Sequence, residues 1–301
     1  MMKILITGSS GLIGSAVVAH LAEQGHRVVR LVRRAVSPGE DAVEWDPAAE
    51  KLESSALEQA GAVVHLAGES INALRWTGKR KERIRNSRVR GTQLLSESLA
   101  QLAFPPRVLV SASAVGFYGS RGDEVLTEES PAGSGFLSEV CQEWEAATQP
   151  ARQKGVRVVN LRFGMVLSGK GGALPAMLPA FKAGVAGKLG DGRQFVSWIA
   201  VDDLKRAISH AITTGPLSGP VNAVSPNPVR NVEMTKALGK VLRRPTFLSI
   251  PAFAVRLLFG EMGESLLLSS QRAEPRRLLD SGFTFRFPDF ETSLRHLLGR
   301  P

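Results

Sequence analysis

Residues 3–14, KILITGSSGLIG, determine how this chain folds. The short apolar run at 3–7 is typical of a buried strand, and a helical segment follows it. The glycines between these two elements have G-x-x-G-x-x-G spacing, which permits a tight turn and a close approach of the backbone to a ligand. Because the N-terminus of the helix also presents free N–H groups, the stretch predicts a loop that binds the diphosphate of a dinucleotide. The residues of this predicted loop are Gly8, Ser9, Ser10, Gly11, Leu12, Ile13 and Gly14.

Strand-like and helix-like segments alternate after this loop. Apolar runs typical of buried strands recur at 27–33, 61–68, 107–113 and 156–164. Segments with helical features separate them, at 12–24, 79–102 and 137–154. This alternation predicts an α/β fold with a Rossmann-like, doubly wound parallel sheet and right-handed crossovers.

The pattern loosens after residue 164, where a glycine-rich segment begins. A strand and a helix capped by Asp202 or Asp203 are predicted next, and they return to the sheet. The C-terminal third is predicted to form a smaller, α-rich substrate lobe over the carboxyl edge of the sheet, where ligands bind in open α/β folds. The predicted division is a dinucleotide-binding domain at 1–165 with 198–222, and a substrate lobe at 166–197 with 223–301.

Composition excludes several classes of protein. The chain is 43% hydrophobic and 22% charged, which is ordinary for a globular protein. No apolar run approaches the roughly 20 residues that span a bilayer, and glycines and serines interrupt any signal-like start. The single cysteine, Cys141, and the scattered histidines predict neither a disulfide framework nor a metal site. We therefore expect a cytoplasmic protein, a monomer or a homodimer, that binds a small molecule and no membrane.

The net charge of +10 raises the possibility of a polyanionic partner. The densest basic run is KRKERIRNSRVR at 79–90, and it leads into a segment with helical spacing. A helix with a solvated basic face is the favoured interpretation. Nucleic-acid binding is the alternative, and it predicts steep salt dependence and loss of binding when Arg83, Arg85 and Arg88 are neutralised.

The end of the second predicted strand bears on the choice of cofactor. NAD-binding folds usually carry an acidic residue about 20 positions beyond the glycines, where it binds the ribose 2′-hydroxyl. This chain has Arg33 and Arg34 there. Arginine pairs with a 2′-phosphate, so the sequence predicts NADP(H). The alternative is that both arginines are solvated loop residues and that NAD(H) also binds.

The chain resembles the short-chain dehydrogenase/reductase superfamily in its extended, epimerase-like form. The resemblance runs over essentially the whole chain. More narrowly, it is similar to the atypical YfcH-like epimerase family proteins, which carry a C-terminal domain of unknown function. The segments that carry the resemblance are TGSSGLIG (7–14), VVHLAG (63–68), AGESINALRWTGKRKERIRNSRVRGTQLL (67–95), SASAVGFYG (111–119), FLSEVCQEWE (136–145), LRFG (161–164), GDGRQFVSWIAVDDLKRAI (190–208) and RAEPRRLLDSGFTFRFPDFETSL (272–294).

The resemblance implies roles for some residues and the loss of others. Leu66, Ala67 and Gly68 match the segment that passes the nicotinamide ribose, and Ser113 matches the residue that polarises the reacting carbonyl. The superfamily's Tyr-x-x-x-Lys pair exchanges a proton with the substrate. Aligning the helix on WE at 144–145 puts Leu137 and Cys141 at these two positions. An asparagine that supports the pair is replaced by Arg88.

Two further side chains are candidates for the missing chemistry. Tyr118 is the only phenol in the chain, and Glu139 is a carboxylate on the helix that should carry the pair. For Tyr118, the favoured interpretation is a loop residue at the pocket rim, with a substitute catalytic role as the alternative. The leading hypothesis for the whole chain is an NADP(H)-binding oxidoreductase or epimerase-like protein of unknown substrate with a non-standard active site. The alternative is a non-catalytic NADP(H) sensor or regulator.

Overall fold

The computed structural model describes residues 1–72 and 75–300. Residues 73–74, within the quoted segment at 67–95, and residue 301, within the predicted substrate lobe, lie outside this description. The strands are β1 (Lys3–Thr7), β2 (Arg27–Val32), β3 (Ala42–Asp46), β4 (Lys51–Leu52), β5 (Ala62–His65), β6 (Val108–Ala114), β7 (Val125–Leu126), β8 (Arg157–Phe163), β9 (Met165–Leu167), β10 (Gly187–Leu189), β11 (Phe195–Val196), β12 (Trp198–Ala200), β13 (Gly219–Ala223), β14 (Val229–Arg230), β15 (Leu248–Ile250) and β16 (Arg272–Ala273).

Helices connect most of these strands. They are α1 (Leu12–Glu23), α2 (Gly78–Gln101), α3 (Phe136–Ala146), α4 (Gln149–Gln153), α5 (Ala173–Lys182), α6 (Val201–Thr213), α7 (Asn231–Leu242), α8 (Ala252–Gly263), α9 (Arg276–Asp280) and α10 (Phe290–Leu297). Short 3₁₀ turns occur at 54–57 and 115–118, and a π turn occurs at 264–268.

An eight-stranded sheet forms the centre of the molecule, in the order β13-β8-β6-β5-β1-β2-β3-β4. Every neighbouring pair is parallel except β3 with β4. Alternate residues of the strands face two separate cores, one beneath α1 and α6 and the other beneath α2 and α4. The prediction of a doubly wound, Rossmann-like α/β sheet is therefore confirmed.

The sequence-based outline missed the edge strands β3 and β4 of the large sheet, and it joined two helices. The strand β3 is a short, half-buried run with two acidic residues, so it lacks the apolar pattern of the central strands. The predicted helix at 137–154 is in fact α3 and α4, because Pro150 lacks the N–H that a continuous helix would need.

The cap of α6 also differs from the prediction. Ala200 is the N-cap, and Asp202 and Asp203 lie in the first turn. The Asp203 carboxylate instead accepts hydrogen bonds from the backbone N–H groups of Arg286 at 2.8 Å and Phe287 at 2.9 Å. It thereby ties the C-terminal segment to α6.

A further core, separate from the two that flank the sheet, lies beyond β8. It joins β9, β12, α5, α7 and α10, with Trp198 buried at its centre against Phe290. Two-stranded pairs, such as β10 with β15 and β11 with β14, connect its segments. The strand β13 and helix α6 belong to the layers of the large sheet. Among the described residues, no helix has the length and apolar character to span a bilayer.

Candidate cofactor and active site

The glycine loop sits between β1 and α1, and two of its glycines are required by close contacts. Gly8 has φ of +67°, and a Cβ atom there would lie 2.7 Å from the carbonyl carbon of Leu66. A Cβ atom on Gly14 would lie 2.1 Å from the carbonyl oxygen of Gly8. The loop therefore packs tightly against the end of β5 and against its own helix, as a dinucleotide loop requires.

The N-terminus of α1 presents backbone donors to this loop. Its N-cap is Gly11, no side chain caps it, and its first turn holds no acidic residue. The first N–H groups of the helix are therefore available to an anionic ligand, and the helix dipole favours a negative charge there. A second glycine-rich segment approaches from the other side of the chain, where a Cβ atom on Gly172 would lie 3.0 Å from Leu12.

The two arginines at the end of β2 are in different states. Both are exposed. The Arg34 guanidinium makes a two-pronged ion pair with Glu40, with Nη1 at 3.0 Å from Oε2. Arg33 has no ion pair within the described part of the chain. Arg33 is thus the cation free to bind a phosphate, while Arg34 would have to exchange its partner.

The segment Leu66–Gly68 follows β5 and is held by Thr7. The Thr7 hydroxyl accepts hydrogen bonds from the N–H groups of Leu66 and Ala67, both at 3.1 Å, and lies 2.8 Å from Nδ1 of His65. Burial lowers the pKa of His65 to about 4, so its imidazole is neutral at physiological pH. His65 is therefore a packed strand residue that orients Thr7.

A buried polar network lies at the carboxyl ends of β6, β8 and β13. The register of these strands places Ser113, Arg162 and Asn222 side by side, so their side chains share one face of the sheet. Glu145, from α3, covers this face. Its carboxylate accepts from Arg162 Nε at 2.7 Å and Arg162 Nη2 at 2.8 Å, and from the Ser113 hydroxyl at 2.7 Å.

The electrostatics of this network fix the ion pair at its centre. The Arg162 side chain is only 3% exposed and that of Glu145 13%. Burial by itself would lower the pKa of Arg162, but its hydrogen bonds and charge interaction with Glu145 raise it. The guanidinium also stacks on the ring of Phe117, with 3.5 Å between Cζ and the centroid. The guanidinium therefore stays charged, and the Ser113 hydroxyl donates a hydrogen bond to the Glu145 carboxylate.

Tyr118 belongs to the same network and is not at a pocket rim. It is 0% exposed, and its hydroxyl donates to Asn222 Oδ1 at 2.7 Å and accepts from Arg162 Nη1 at 2.9 Å. Burial raises the pKa of this phenol. Both hydrogen-bonding partners are protein groups, so the geometry assigns Tyr118 the job of orienting Arg162. The rim interpretation is corrected accordingly.

The positions of the missing Tyr-Lys pair hold groups that cannot transfer protons. Leu137 packs beside Gly116, in an apolar cluster with Trp76 and Met262. Cys141 is buried, and burial raises the pKa of its thiol to about 12. The thiol is therefore neutral and unreactive at physiological pH.

Glu139 is not brought to this network. Its side chain is 59% exposed and pairs with Arg85 on the outer surface of α2 and α3. The sequence analysis names Glu139 as the candidate carboxylate of α3, but the carboxylate that the fold brings to Ser113 is Glu145. The positions of Glu139, Glu143 and Glu145 in the sequence do not indicate which carboxylate reaches Ser113. That depends on the ion pair between Glu145 and Arg162 of β8.

Sequence reasoning also missed the contribution of Arg88. This half-buried residue of α2 extends its guanidinium towards the segment after β5, with Nη1 donating to the carbonyl of Glu69 at 3.0 Å and to that of Ile84 at 3.1 Å. A Cβ atom on Gly68 would lie 3.5 Å from its Cζ. The other face of the guanidinium lies over the Trp144 ring at 5.1 Å.

Three of the six other basic residues of the run at 79–90 form ion pairs within the molecule. Arg80 binds Glu69 at 2.5 Å, Lys81 binds Glu261 at 2.9 Å, and Arg85 lies 3.2 Å from Glu143. Within the described ranges, Lys79, Arg83 and Arg90 of this run make no ion pair. The basic residues of the run therefore lie on more than one face of α2, and only some of them are available to bind another anion.

Two family models match successive parts of the chain. Residues 4–223 match the NAD dependent epimerase/dehydratase family, and residues 250–297 match a domain of unknown function, DUF1731. The first match contains the glycine loop and the whole buried network. The second contains α8, α9 and α10.

Similar proteins are known over the full length of the chain. An epimerase family protein of Mycobacterium bovis is 44% identical over 298 residues, which are 99% of this chain and 98% of that protein. The crystal structure of the human epimerase family protein SDR39U1 with NADPH is 32% identical, covers 100% of both chains and has a TM-score of 0.91. A nucleoside-diphosphate sugar epimerase from Corynebacterium glutamicum is 43% identical with a TM-score of 0.83, over 99% of this chain and 58% of that one.

Proposed function

We propose, since the chain belongs to the NAD dependent epimerase/dehydratase family, that it is an NADP(H)-binding protein whose active site is the buried network around Ser113. The family resemblance predicted from the sequence is confirmed, and so is the C-terminal domain of unknown function. The fold is that of the family's nucleotide-binding proteins. The choice of NADP(H), the site residues and the chemistry are the proposal.

The single observation that carries the cofactor proposal is the pairing of an uncapped α1 N-terminus with a free Arg33 at the end of the adjacent strand. A diphosphate at the helix N-terminus places the adenosine ribose next to β2. The 2′-phosphate would there meet Arg33, with Arg34 beside it. The human relative was crystallised with NADPH, which supports the same choice.

Ser113 and Glu145, at the β6 and β8 end of the sheet's carboxyl edge, fit a hydroxyl-bearing substrate. NADP(H) supplies or accepts a hydride when bound. Because the Ser113 hydroxyl donates its hydrogen bond to Glu145, its lone pairs are available to accept a hydrogen bond from a substrate hydroxyl. Glu145, which accepts hydrogen bonds from Arg162 through both carboxylate oxygens, can then receive the proton of Ser113 while Ser113 takes the proton of the substrate. Such a relay replaces the absent Tyr-Lys pair.

A second candidate function is favoured by the chemistry of α3. Leu137 and Cys141 provide neither a phenol nor a cation, and Tyr118 is occupied by protein partners. A protein that binds NADP(H) and reports its level without turnover would need only the glycine loop and Arg33. Hydride exchange with any alcohol or carbonyl compound distinguishes the first candidate from this one.

The cofactor proposal is tested by titrating the protein with NADPH and NADH while nicotinamide fluorescence is followed. We expect NADPH to bind more tightly, and Arg33→Ala to weaken NADPH binding by about 10- to 100-fold because an arginine–phosphate contact is lost. Arg34→Ala serves as the matched control, and a smaller loss is expected because Glu40 already holds that guanidinium. Failure to bind either nucleotide would contradict the proposal.

A further inference from the structure

Arg88 forms no ion pair with a carboxylate in the described part of the chain. Its guanidinium donates hydrogen bonds to two backbone carbonyls through Nη1. Nε and Nη2 have no hydrogen-bond partner among the described residues. The carboxylate beside it, Glu69, is bound to Arg80 at 2.5 Å. Burial lowers the pKa of Arg88, yet a guanidinium stays protonated in proteins. The site therefore holds one uncompensated positive charge.

The other groups around Arg88 do not neutralise it. The thiol of Cys141 is uncharged, because burial raises its pKa to about 12. Trp144 offers only its ring face. Glu145 is bound through both carboxylate oxygens to Arg162. A half-buried cation without a counterion affects any charged ligand nearby, because the protein screens it less than water does.

The order of the strands decides which part of the cofactor meets this charge. The diphosphate site lies at β1, and the 2′-phosphate site lies at β2 on one side. The rest of the dinucleotide must then extend to the other side, over the ends of β5 and β6. Gly68 follows β5, a Cβ atom built on it would lie 3.5 Å from Arg88 Cζ, and Arg88 donates a hydrogen bond to the carbonyl of the next residue, Glu69. The nicotinamide half therefore lies next to the guanidinium.

We propose that Arg88 makes this protein discriminate between the two redox states of its cofactor, binding NADPH in preference to NADP⁺. The nicotinamide ring carries a positive charge in NADP⁺ and none in NADPH. The two forms share the same adenosine half, 2′-phosphate and diphosphate, so a cation beside the ring opposes only the oxidised form. This inference rests on the proposed NADP(H) site.

The test compares three ligands with four proteins. Dissociation constants are measured by calorimetry for NADPH, NADP⁺ and 2′,5′-ADP, which contains the adenosine half alone. The proteins are the wild type, Arg88→Met, Arg88→Gln, which keeps side-chain hydrogen-bond donors without the charge, and Arg83→Met, which removes an exposed charge from the same helix. Thermal unfolding of each variant checks that it is folded.

We expect the wild type to bind NADPH about 10-fold more tightly than NADP⁺, from a charge effect at protein-like dielectric. Arg88→Met and Arg88→Gln should bring this ratio close to one and leave the affinity for 2′,5′-ADP unchanged. Arg83→Met should keep the wild-type ratio. A wild-type ratio at or below one overturns the inference even if both Arg88 variants fail to fold, and so does a ratio that survives in Arg88→Gln. If the wild type does not bind 2′,5′-ADP, the proposed NADP(H) site itself is contradicted.

Discussion

The two ends of the sheet's carboxyl edge are built in opposite ways. At β1 and β2, the groups offered to a ligand are backbone N–H groups and the exposed Arg33, all within one short stretch of chain. At β6, β8 and β13, they are buried side chains that come from five elements of the fold and include one ion pair. Binding of a nucleotide needs only the first kind of site. Proton transfer needs the second, because low solvent access strengthens each charge interaction.

This difference predicts that the β6 end contributes much more to stability than its exposed surroundings. Glu145→Gln removes the carboxylate from a buried Arg162 and leaves that guanidinium without a counterion. The free energy of unfolding should fall by about 3–5 kcal/mol, as for other buried pairs broken on one side. Urea unfolding followed by tryptophan fluorescence measures the change.

The matched control is Glu139→Gln, the same substitution on the same helix. Its carboxylate is 59% exposed and lies 3.4 Å from Arg85. We expect a change within about 0.5 kcal/mol, since surface pairs contribute little. Equal losses in the two variants would mean that the network around Ser113 is not the stabilising core inferred from its burial.

The β1 end should instead respond in ligand binding. Gly14→Ala places a methyl group 2.1 Å from the Gly8 carbonyl oxygen, so the loop must move. We expect a loss of stability of about 1–3 kcal/mol, typical of overpacking, together with weaker NADPH binding by 10-fold or more.

Gly78→Ala provides the comparison for that variant. Gly78 begins α2, and a Cβ atom there would meet nothing within 4 Å. Stability should be unchanged or slightly higher, because alanine favours helix, and NADPH affinity should stay the same. If Gly14→Ala binds NADPH like the wild type, the glycine loop is not the diphosphate site.

The same contrast explains what could be predicted from sequence. The glycine turn and the central strands can be predicted because each is encoded within a few consecutive residues. Glu145 and Arg162 were missed because their pairing depends on how α3 lies over β8, which no local pattern records. Arg88 was noted only as a departure from the family, since its inward direction depends on the packing of α2 against the segment after β5.

Tyr118 gives the smallest expected effect and the most direct readout of burial. Burial raises its pKa above the ordinary value of 10.0, in opposition to Arg162, whose charge and hydrogen bond lower it. A raised pKa stabilises the neutral phenol in the folded state. Its contribution to the free energy of unfolding is therefore complete below pH 10 and is lost as the pH rises through the folded-state pKa.

Because Tyr118 is the only tyrosine, the near-ultraviolet absorbance of phenolate reports this one group. We expect phenolate to appear at higher pH in the folded protein than in the same protein unfolded in urea. Tyr118→Phe should remove the signal, and its free energy of unfolding should fall less than that of the wild type as the pH rises above 10. A folded-state titration at or below the unfolded one would show a phenol that reaches solvent or a ligand, and would return Tyr118 to the candidates for proton transfer. The two ends of the sheet edge would then differ less than the buried network indicates.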